Sequence, residues 1–297
     1  MQKNSSNARN GHLVIVGGGE DRVDDKEILA KFVELAGAAS ARIVVVTAAS
    51  TVPEDMWKIY DDAFGALGVA ERAPMHLASR EAANDAANAQ RVEQATGIFM
   101  TGGDQKRLLA MTGGTAVARA MHAALANGAC IGGTSAGASA MSAHMLADGT
   151  ADLNPERGSV SLGAGLGLVR RAVIDQHFSQ RHRLARLLSV VAQNPYLHGL
   201  GIDEDTALVV QPGVGIEVIG NGSVTLVDGR DAISNVADAA RRESLELINV
   251  RLHMLPAGCR YRRADAEDCA PETPVVPAPL IDLIHSLTQQ NASHEDS

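Results

Sequence analysis

Cysteine is scarce in this chain. Its 297 residues contain only Cys130, Cys259 and Cys269, an odd number without metal-type spacing. That excludes a disulfide framework and a cysteine-bound metal cluster, and reads as free thiols in a reducing compartment, with a Cys259–Cys269 bridge as the minor option. Aromatic residues are equally few, with four Phe, three Tyr and one Trp, too few to build stacking platforms for single-stranded nucleic acid. Positive charge is also in deficit. A formal net charge of -9 argues against a general partner among nucleic acids or anionic membranes, which require a basic footprint. No apolar run approaches the ~20 residues that span a bilayer. The first ten residues, Met1 to Asn10, are polar and lack the apolar centre of a secretory signal. A cytoplasmic protein with no membrane or nucleic-acid partner is expected.

What is present is ordinary for a soluble globular protein: 45% hydrophobic and 21% charged residues, enough for one large core. Residues 1–10 are expected to be unstructured, 11–270 to form a single catalytic domain, and 271–297 to be a largely disordered tail. That tail holds Pro271, Pro274, Pro277 and Pro279 before a short apolar segment at Leu280 to Leu287.

The first half alternates apolar strands with amphipathic helices. Leu13 to Val16, Ile43 to Val46, Gly97 to Met100 and Ala129 to Ile131 read as buried strands. Ile28, Leu29, Phe32, Val33 and Ala36 recur at helical spacing, as do Val117, Met121, Ala124 and Leu125. Strands without a wet face imply an α/β fold with a mainly parallel sheet covered by helices on both faces. Later segments, Ala207 to Gln211, Gly215 to Ile219 and Val224 to Val227, read as extra antiparallel strands, with Gly220-Asn221-Gly222-Ser223 as a hairpin turn. Ligands of such sheets bind beyond the carboxyl ends of the strands. Three glycine-rich segments, 17–19, 102–103 and 132–137, fall there.

The most informative of them is Gly133-Thr134-Ser135-Ala136-Gly137, a G-x-S-x-G nucleophile elbow. Glycines flank the serine because the strand-to-helix turn leaves no room for side chains, and the hydroxyl is presented beside free helix N–H groups. A serine needs a base oriented by an acid. His177 is the best base, following the apolar Val173-Ile174 and the polar Asp175-Gln176. The acid lies among Asp203, Glu204 and Asp205, and spacing does not choose between them. Arg181, Arg183 and Arg186 stand near the start of the next helix, where positive charge opposes the macrodipole. They are either paired with acidic groups or available to carboxylates of a substrate. Gly17-Gly18-Gly19-Glu20 lacks the G-x-G-x-x-G spacing, which disfavours a dinucleotide site. The remaining histidines show no metal-ligand pattern.

Gly102-Gly103-Asp104-Gln105, the elbow, Asp175-Gln176-His177-Phe178 with the following arginines, and residues 201–207 (Gly-Ile-Asp-Glu-Asp-Thr-Ala) together resemble the cyanophycinases. These belong to a serine peptidase group that includes the aspartyl dipeptidase peptidase E and has a class I glutamine amidotransferase-like fold. The resemblance implies Ser135 as nucleophile, His177 as general base, Glu204 as the orienting acid, and the Gly103 and Ala136 N–H groups as the oxyanion hole. It further implies substrate contacts from Gln105, Asp175, Gln176, Arg181, Arg183 and Arg186, no metal or organic cofactor, and a homodimer. The implied substrate is cyanophycin, a poly-aspartate chain bearing arginine on each β-carboxyl, degraded to β-Asp-Arg dipeptides. An aspartyl or isoaspartyl dipeptidase, and a non-catalytic binding protein on the same scaffold, are the alternatives.

Overall fold

The computed structural model describes residues 11–150, 153–264, 266 and 272–288. The expected segment 1–10 lies outside the described residues, as do Pro271 and residues 289–297 of the expected tail 271–297, and Cys269.

The first half runs β1 (His12–Val16), α1 (Glu27–Leu35), β2 (Arg42–Val46), α2 (Pro53–Ala66), β3 (Glu71–Met75), α3 (Arg80–Asn84), α4 (Ala86–Gln94), β4 (Gly97–Met100), α5 (Gln105–Thr112), α6 (Ala116–Ala126), β5 (Cys130–Thr134) and α7 (Ala136–Ala140). The second half is richer in strands: β6 (His144–Gly149), β7 (Val160–Ala164), β8 (Ala172–Asp175), α8 (Leu184–Gln193), β9 (His198–Ile202), β10 (Thr206–Gln211), β11 (Gly215–Gly220) and β12 (Ser223–Asp228). It closes with β13 (Ile233–Ser234), β14 (Leu247–Ile248), β15 (Arg251–Pro256), β16 (Arg260–Arg262) and α9 (Ile281–Thr288).

The large sheet has the order β16-β11-β10-β1-β5-β4-β2-β3. From β1 to β3 the neighbours are parallel, and β10, β11 and β16 extend it antiparallel. Alternate residues of one strand enter different cores. Leu13 and Ile15 join one apolar cluster, and Val14 and Val16 the other, as a sheet covered on both faces requires. Burying each such side chain contributes about 1.5–3 kcal/mol. The second cluster carries the aromatic residues: Tyr60 packs against Phe99 with ring centroids 5.0 Å apart, and Phe32 meets Phe99 edge-on at 5.2 Å.

A second sheet, β15-β12-β9-β8, stands beside the first. The Gly220-Asn221-Gly222-Ser223 segment is therefore not the hairpin turn expected, because β11 and β12 belong to different sheets. β11 is already occupied by β10 on one edge and β16 on the other, so the chain crosses over to pair β12 with β9 and β15. A second crossing, residues 203–205, joins β9 to β10 alongside it, tied by the Asn221 N–H donating to the Asp205 carbonyl at 2.8 Å.

The tail also departs from expectation. Val276, Leu280, Leu283, Ile284 and Leu287 are buried against the main core, and Arg230 Nη1 donates to Asp282 Oδ2 at 2.7 Å. The prolines precede the helix rather than interrupt it. Pro277 caps the short turn Ala278–Leu280 that leads into α9, and Pro279 lies within that turn, where a fixed φ and a missing N–H cost little. Among the described residues no helix is long and apolar enough to cross a membrane.

Candidate active site

β1, β4 and β5 end together, with Val16 opposite Thr134 and Met100 opposite Gly133. The turn after β5 places Ser135 at φ 51°, ψ -111°, a conformation that costs a non-glycine residue about 1–3 kcal/mol. Surrounding contacts hold it. The Ser135 N–H donates to the Val16 carbonyl at 3.1 Å, and the Ser135 carbonyl accepts from Ser139 N–H at 3.0 Å. A Cβ on Gly137 would lie 2.4 Å from the Met100 carbonyl oxygen, so the elbow packs directly on the neighbouring strand.

His177 arrives from the second sheet, two residues beyond β8. Its Nε2 lies 2.9 Å from Ser135 Oγ and its Nδ1 2.6 Å from Glu204 Oε1. With Nδ1 protonated toward the carboxylate, Nε2 is left to accept the serine proton. Burial holds the His177 imidazole below its ordinary pKa, opposed by the Glu204 hydrogen bond and reinforced by the positive charge of Arg181 and Arg183. The ring is thus neutral, and able to act as a base, at neutral pH.

The acidic turn resolves into three different tasks. Asp203 is buried and accepts from Ser179 N–H at 3.0 Å, Ser223 N–H at 3.0 Å and Ser223 Oγ at 2.9 Å. Asp205 accepts from Asp21 N–H at 2.9 Å and Asn221 Nδ2 at 2.6 Å. Only Glu204 points at the imidazole; its own N–H is held by Gln180 Oε1 at 3.0 Å.

The arginines are divided as well. α8 begins only at Leu184, so Arg181 lies before it, Arg183 is its N-cap residue, and Arg186 alone is in its first turn. Asp175, wholly buried, accepts from Arg186 Nε at 2.9 Å and from Arg186 Nη2, and from Arg183 Nη1 at 3.3 Å. Arg186 Nη1 continues to the Gly149 carbonyl at 3.0 Å. The expectation that Asp175 and Arg186 face a substrate is corrected on this point. A carboxylate already holding two guanidiniums inside the protein has no face left for a third, and the pair compensates the macrodipole internally. Arg183 also donates to the Gln176 carbonyl, yet its buried Nε has no acceptor in the described residues. Burial lowers the Arg183 pKa to about 10 despite Asp175, which leaves it charged at neutral pH.

Gln176 is buried, with its side-chain oxygen 3.3 Å from Ser135 Oγ. Gln105, part-buried, donates through Nε2 to the Leu146 carbonyl at 3.2 Å. Arg181 is exposed and carries no carboxylate partner among the described residues. The turn after β4 passes across the nucleophile. A Cβ on Gly102 would lie 3.5 Å from Ser135 Cβ. Gly103 has φ 139°, and a Cβ there would meet the Ala49 carbonyl oxygen at 2.2 Å. Neither the Gly103 nor the Ala136 N–H donates to a loop or turn acceptor among the described residues, and Ala136 opens α7, where helical N–H groups lack intrahelical partners. Both N–H groups are thus free of such acceptors.

A serine on an elbow, relayed through histidine to glutamate with amides beside it, is built for acyl transfer. The model of peptidase family S51 matches residues 13–218, which takes in the whole relay. The chain belongs to peptidase family S51. Among its relatives, a cyanophycinase of Geminocystis herdmanii is 40% identical over 253 residues, 84% of this chain and 93% of that protein. A cyanophycinase of Synechococcus elongatus is 39% identical over 253 residues, 84% of this chain and 79% of that one. A solved peptidase from an acI-B1 Actinobacterium has the same fold, with a TM-score of 0.65 at 21% identity over 86% of this chain and 98% of that one. This family member is a serine-type peptidase with a mainly parallel α/β architecture.

The sequence reading missed one participant in the site. Glu20 is buried and touches the elbow through Thr134 Oγ1, which donates to Glu20 Oε2 at 2.6 Å. Its signal was present in the acid that ends the glycine-rich turn after β1.

Proposed function

We propose that this protein is a cyanophycinase, cleaving the poly-aspartate backbone of cyanophycin and releasing β-Asp-Arg dipeptides through an acyl-enzyme. The observation that carries the reading is the Ser135–His177–Glu204 relay, at 2.9 and 2.6 Å, in a chain 40% identical to a protein of that name. Ser135 Oγ attacks the scissile backbone carbonyl while His177 Nε2 takes its proton. The tetrahedral oxyanion is held by the Gly103 and Ala136 N–H groups. The C–N bond then breaks, His177 returns the proton to the leaving amine, and water, deprotonated by the same histidine, releases the ester as a carboxylic acid and free Ser135. Glu204 keeps the imidazole in the required tautomer and stabilises the imidazolium formed at each step.

Each arginyl branch of the polymer ends in a carboxylate. Arg181, exposed beside His177, is the group suited to it. In this reading Gln105 and Gln176 hydrogen-bond the polymer chain. Asp175 and Arg186 act behind them, fixing Arg183. The reading includes a cytoplasmic homodimer, to be checked by fractionation and by light scattering.

The test is incubation of wild type and Ser135→Ala with insoluble cyanophycin, followed by mass identification of soluble products. β-Asp-Arg from wild type alone is expected. Acylation of Ser135 by a fluorophosphonate without release of the dipeptide would keep the peptidase and reject this substrate in favour of aspartyl or isoaspartyl dipeptides.

A further inference from the structure

The mechanism leaves unused a buried carboxylate and the glycine-rich turn that carries it. Glu20 is 2% exposed. A carboxylate taken out of water is costly unless its oxygens find donors, and here the donors come from distant parts of the fold. The Tyr60 hydroxyl, on α2, donates to Oε1. The Thr134 hydroxyl, on the residue just before the nucleophile, donates to Oε2 at 2.6 Å. Tyr60 is wholly buried in the aromatic cluster, so this end of the bridge is anchored in the rigid core. Burial and the neighbouring Glu20 charge both raise the Tyr60 pKa, which keeps its hydroxyl protonated as a donor.

The rest of the turn touches the other half of the relay. The Gly17 carbonyl accepts from the His177 N–H at 2.7 Å, and the Gly18 carbonyl from Asp205 N–H at 2.8 Å. Gly18 lies against the imidazole itself. Its φ is +99°, and a Cβ there would fall 2.4 Å from His177 Cε1 and 2.5 Å from Nε2. Gly19 faces the Glu204 side chain, with a Cβ position 3.4 Å from Glu204 Cβ. One four-residue turn thus contacts base and acid through its backbone and the elbow through its last side chain.

We propose that Glu20 is a positioning residue of the peptidase, anchoring the Gly17–Glu20 turn and the Thr134–Ser135 elbow to Tyr60 so that nucleophile and base stay in register. It acts through Thr134 and touches no reacting atom. The proposal deepens the serine peptidase reading and rests on it. It also explains why a strand-end Gly-Gly-Gly-Glu occurs without dinucleotide spacing: the glycines make room for the imidazole, not for a pyrophosphate.

The test uses Thr134→Val, which removes the donor while keeping a β-branched side chain of similar shape, with Thr134→Ser, Glu20→Ala and the Glu20→Ala/Thr134→Val double variant. Two rates are read: acylation of Ser135 by a fluorophosphonate, which needs no natural substrate, and kcat and KM on soluble cyanophycin. Melting temperature and the pH midpoint of acylation are followed beside them. Thr134→Val is expected to slow acylation and kcat by about tenfold or more, since small misplacements of reacting groups carry penalties of that order. KM should change by less than about threefold and the pH midpoint should stay, because His177 keeps its partner. Thr134→Ser, which restores the hydroxyl, should recover most of the rate, and the double variant should be no slower than the slower single. A folded Thr134→Val enzyme acylated at the wild-type rate, whatever its melting temperature, overturns the proposal, as do multiplicative losses in the double variant. If Glu20→Ala does not fold, the contrast between Thr134→Val and Thr134→Ser decides alone. Acylation without cyanophycin cleavage in wild type would reject the substrate and leave this test standing.

Discussion

Replacing Asp175 by asparagine separates two roles for the residues beside His177. Asp175 has no exposed surface and holds Arg186 through two contacts and Arg183 through a third. The two arginines are themselves about nine-tenths buried, each 9% exposed. Asparagine keeps the volume but removes the charge and turns an NH2 group toward at least one donor. The result is an uncompensated buried cation pair, for which the usual loss is about 3–5 kcal/mol. At about 2–4 °C per kcal/mol for a domain of this size, the melting temperature should fall by roughly 6–20 °C. The assay is thermal unfolding followed by near-ultraviolet circular dichroism, with fluorophosphonate acylation measured well below the transition. Because Asp175 precedes Gln176 and His177 directly, acylation should slow too. Exchanging Arg186 for methionine in the same chain should recover part of the stability, since an apolar isostere removes one stranded charge. If Asp175 instead received a substrate guanidinium, asparagine would raise KM for cyanophycin and leave the melting temperature unchanged. That outcome would refute the internal ion-pair argument.

Three further outcomes follow from the geometry. Burial holds the His177 pKa below its ordinary 6.5, and the neutral ring is the active form. kcat/KM should therefore rise with pH through a midpoint below that value and be flat from neutrality upward, and a midpoint at or above pH 7 in the rate profile would contradict the assignment. In Gly103→Ala the new Cβ would collide with the Ala49 carbonyl oxygen at 2.2 Å, at a residue held at φ 139°. The turn must shift, and kcat should fall by roughly 100- to 1,000-fold, the cost of one oxyanion donor; an unchanged kcat would remove Gly103 from the oxyanion hole. Ile284→Ala, in the fully buried face of α9, should destabilise the protein by about 2–5 kcal/mol in urea unfolding, whereas a disordered tail would show no effect.

The parts of this protein that could be read from its sequence are those governed by neighbours in the chain. Apolar runs such as Leu13 to Val16 report burial on both faces, and these residues divide between two cores as a covered sheet demands. The elbow is legible because its glycines answer a local steric problem. The parts that could not be read depend on partners far along the chain. Asp203, Glu204 and Asp205 are chemically similar, and Glu204 is singled out only because the first and third are held by Ser179, Ser223, Asp21 and Asn221. The hairpin expected at 220–223 had suitable turn residues, but β16, arriving some forty residues later, already occupies the free edge of β11.

The same contrast governs the charges at the site. Arginines clustered near a helix start look identical whether they await a carboxylate from solvent or already hold one. Asp175 lies eight residues before Arg183 and eleven before Arg186, but it ends β8 while α8 begins only at Leu184, so no single helical or strand period links them. Glu20 is harder still, since its partners stand 40 and 114 residues away. A buried carboxylate is nevertheless detectable by its cost. An acid placed directly after a buried strand and a run of glycines must either face water or be satisfied by the fold, and glycines that permit close approach favour the second. On that argument the Gly-Gly-Gly-Glu turn points inward, toward whatever occupies the ends of the adjacent strands, which in this protein is the nucleophile.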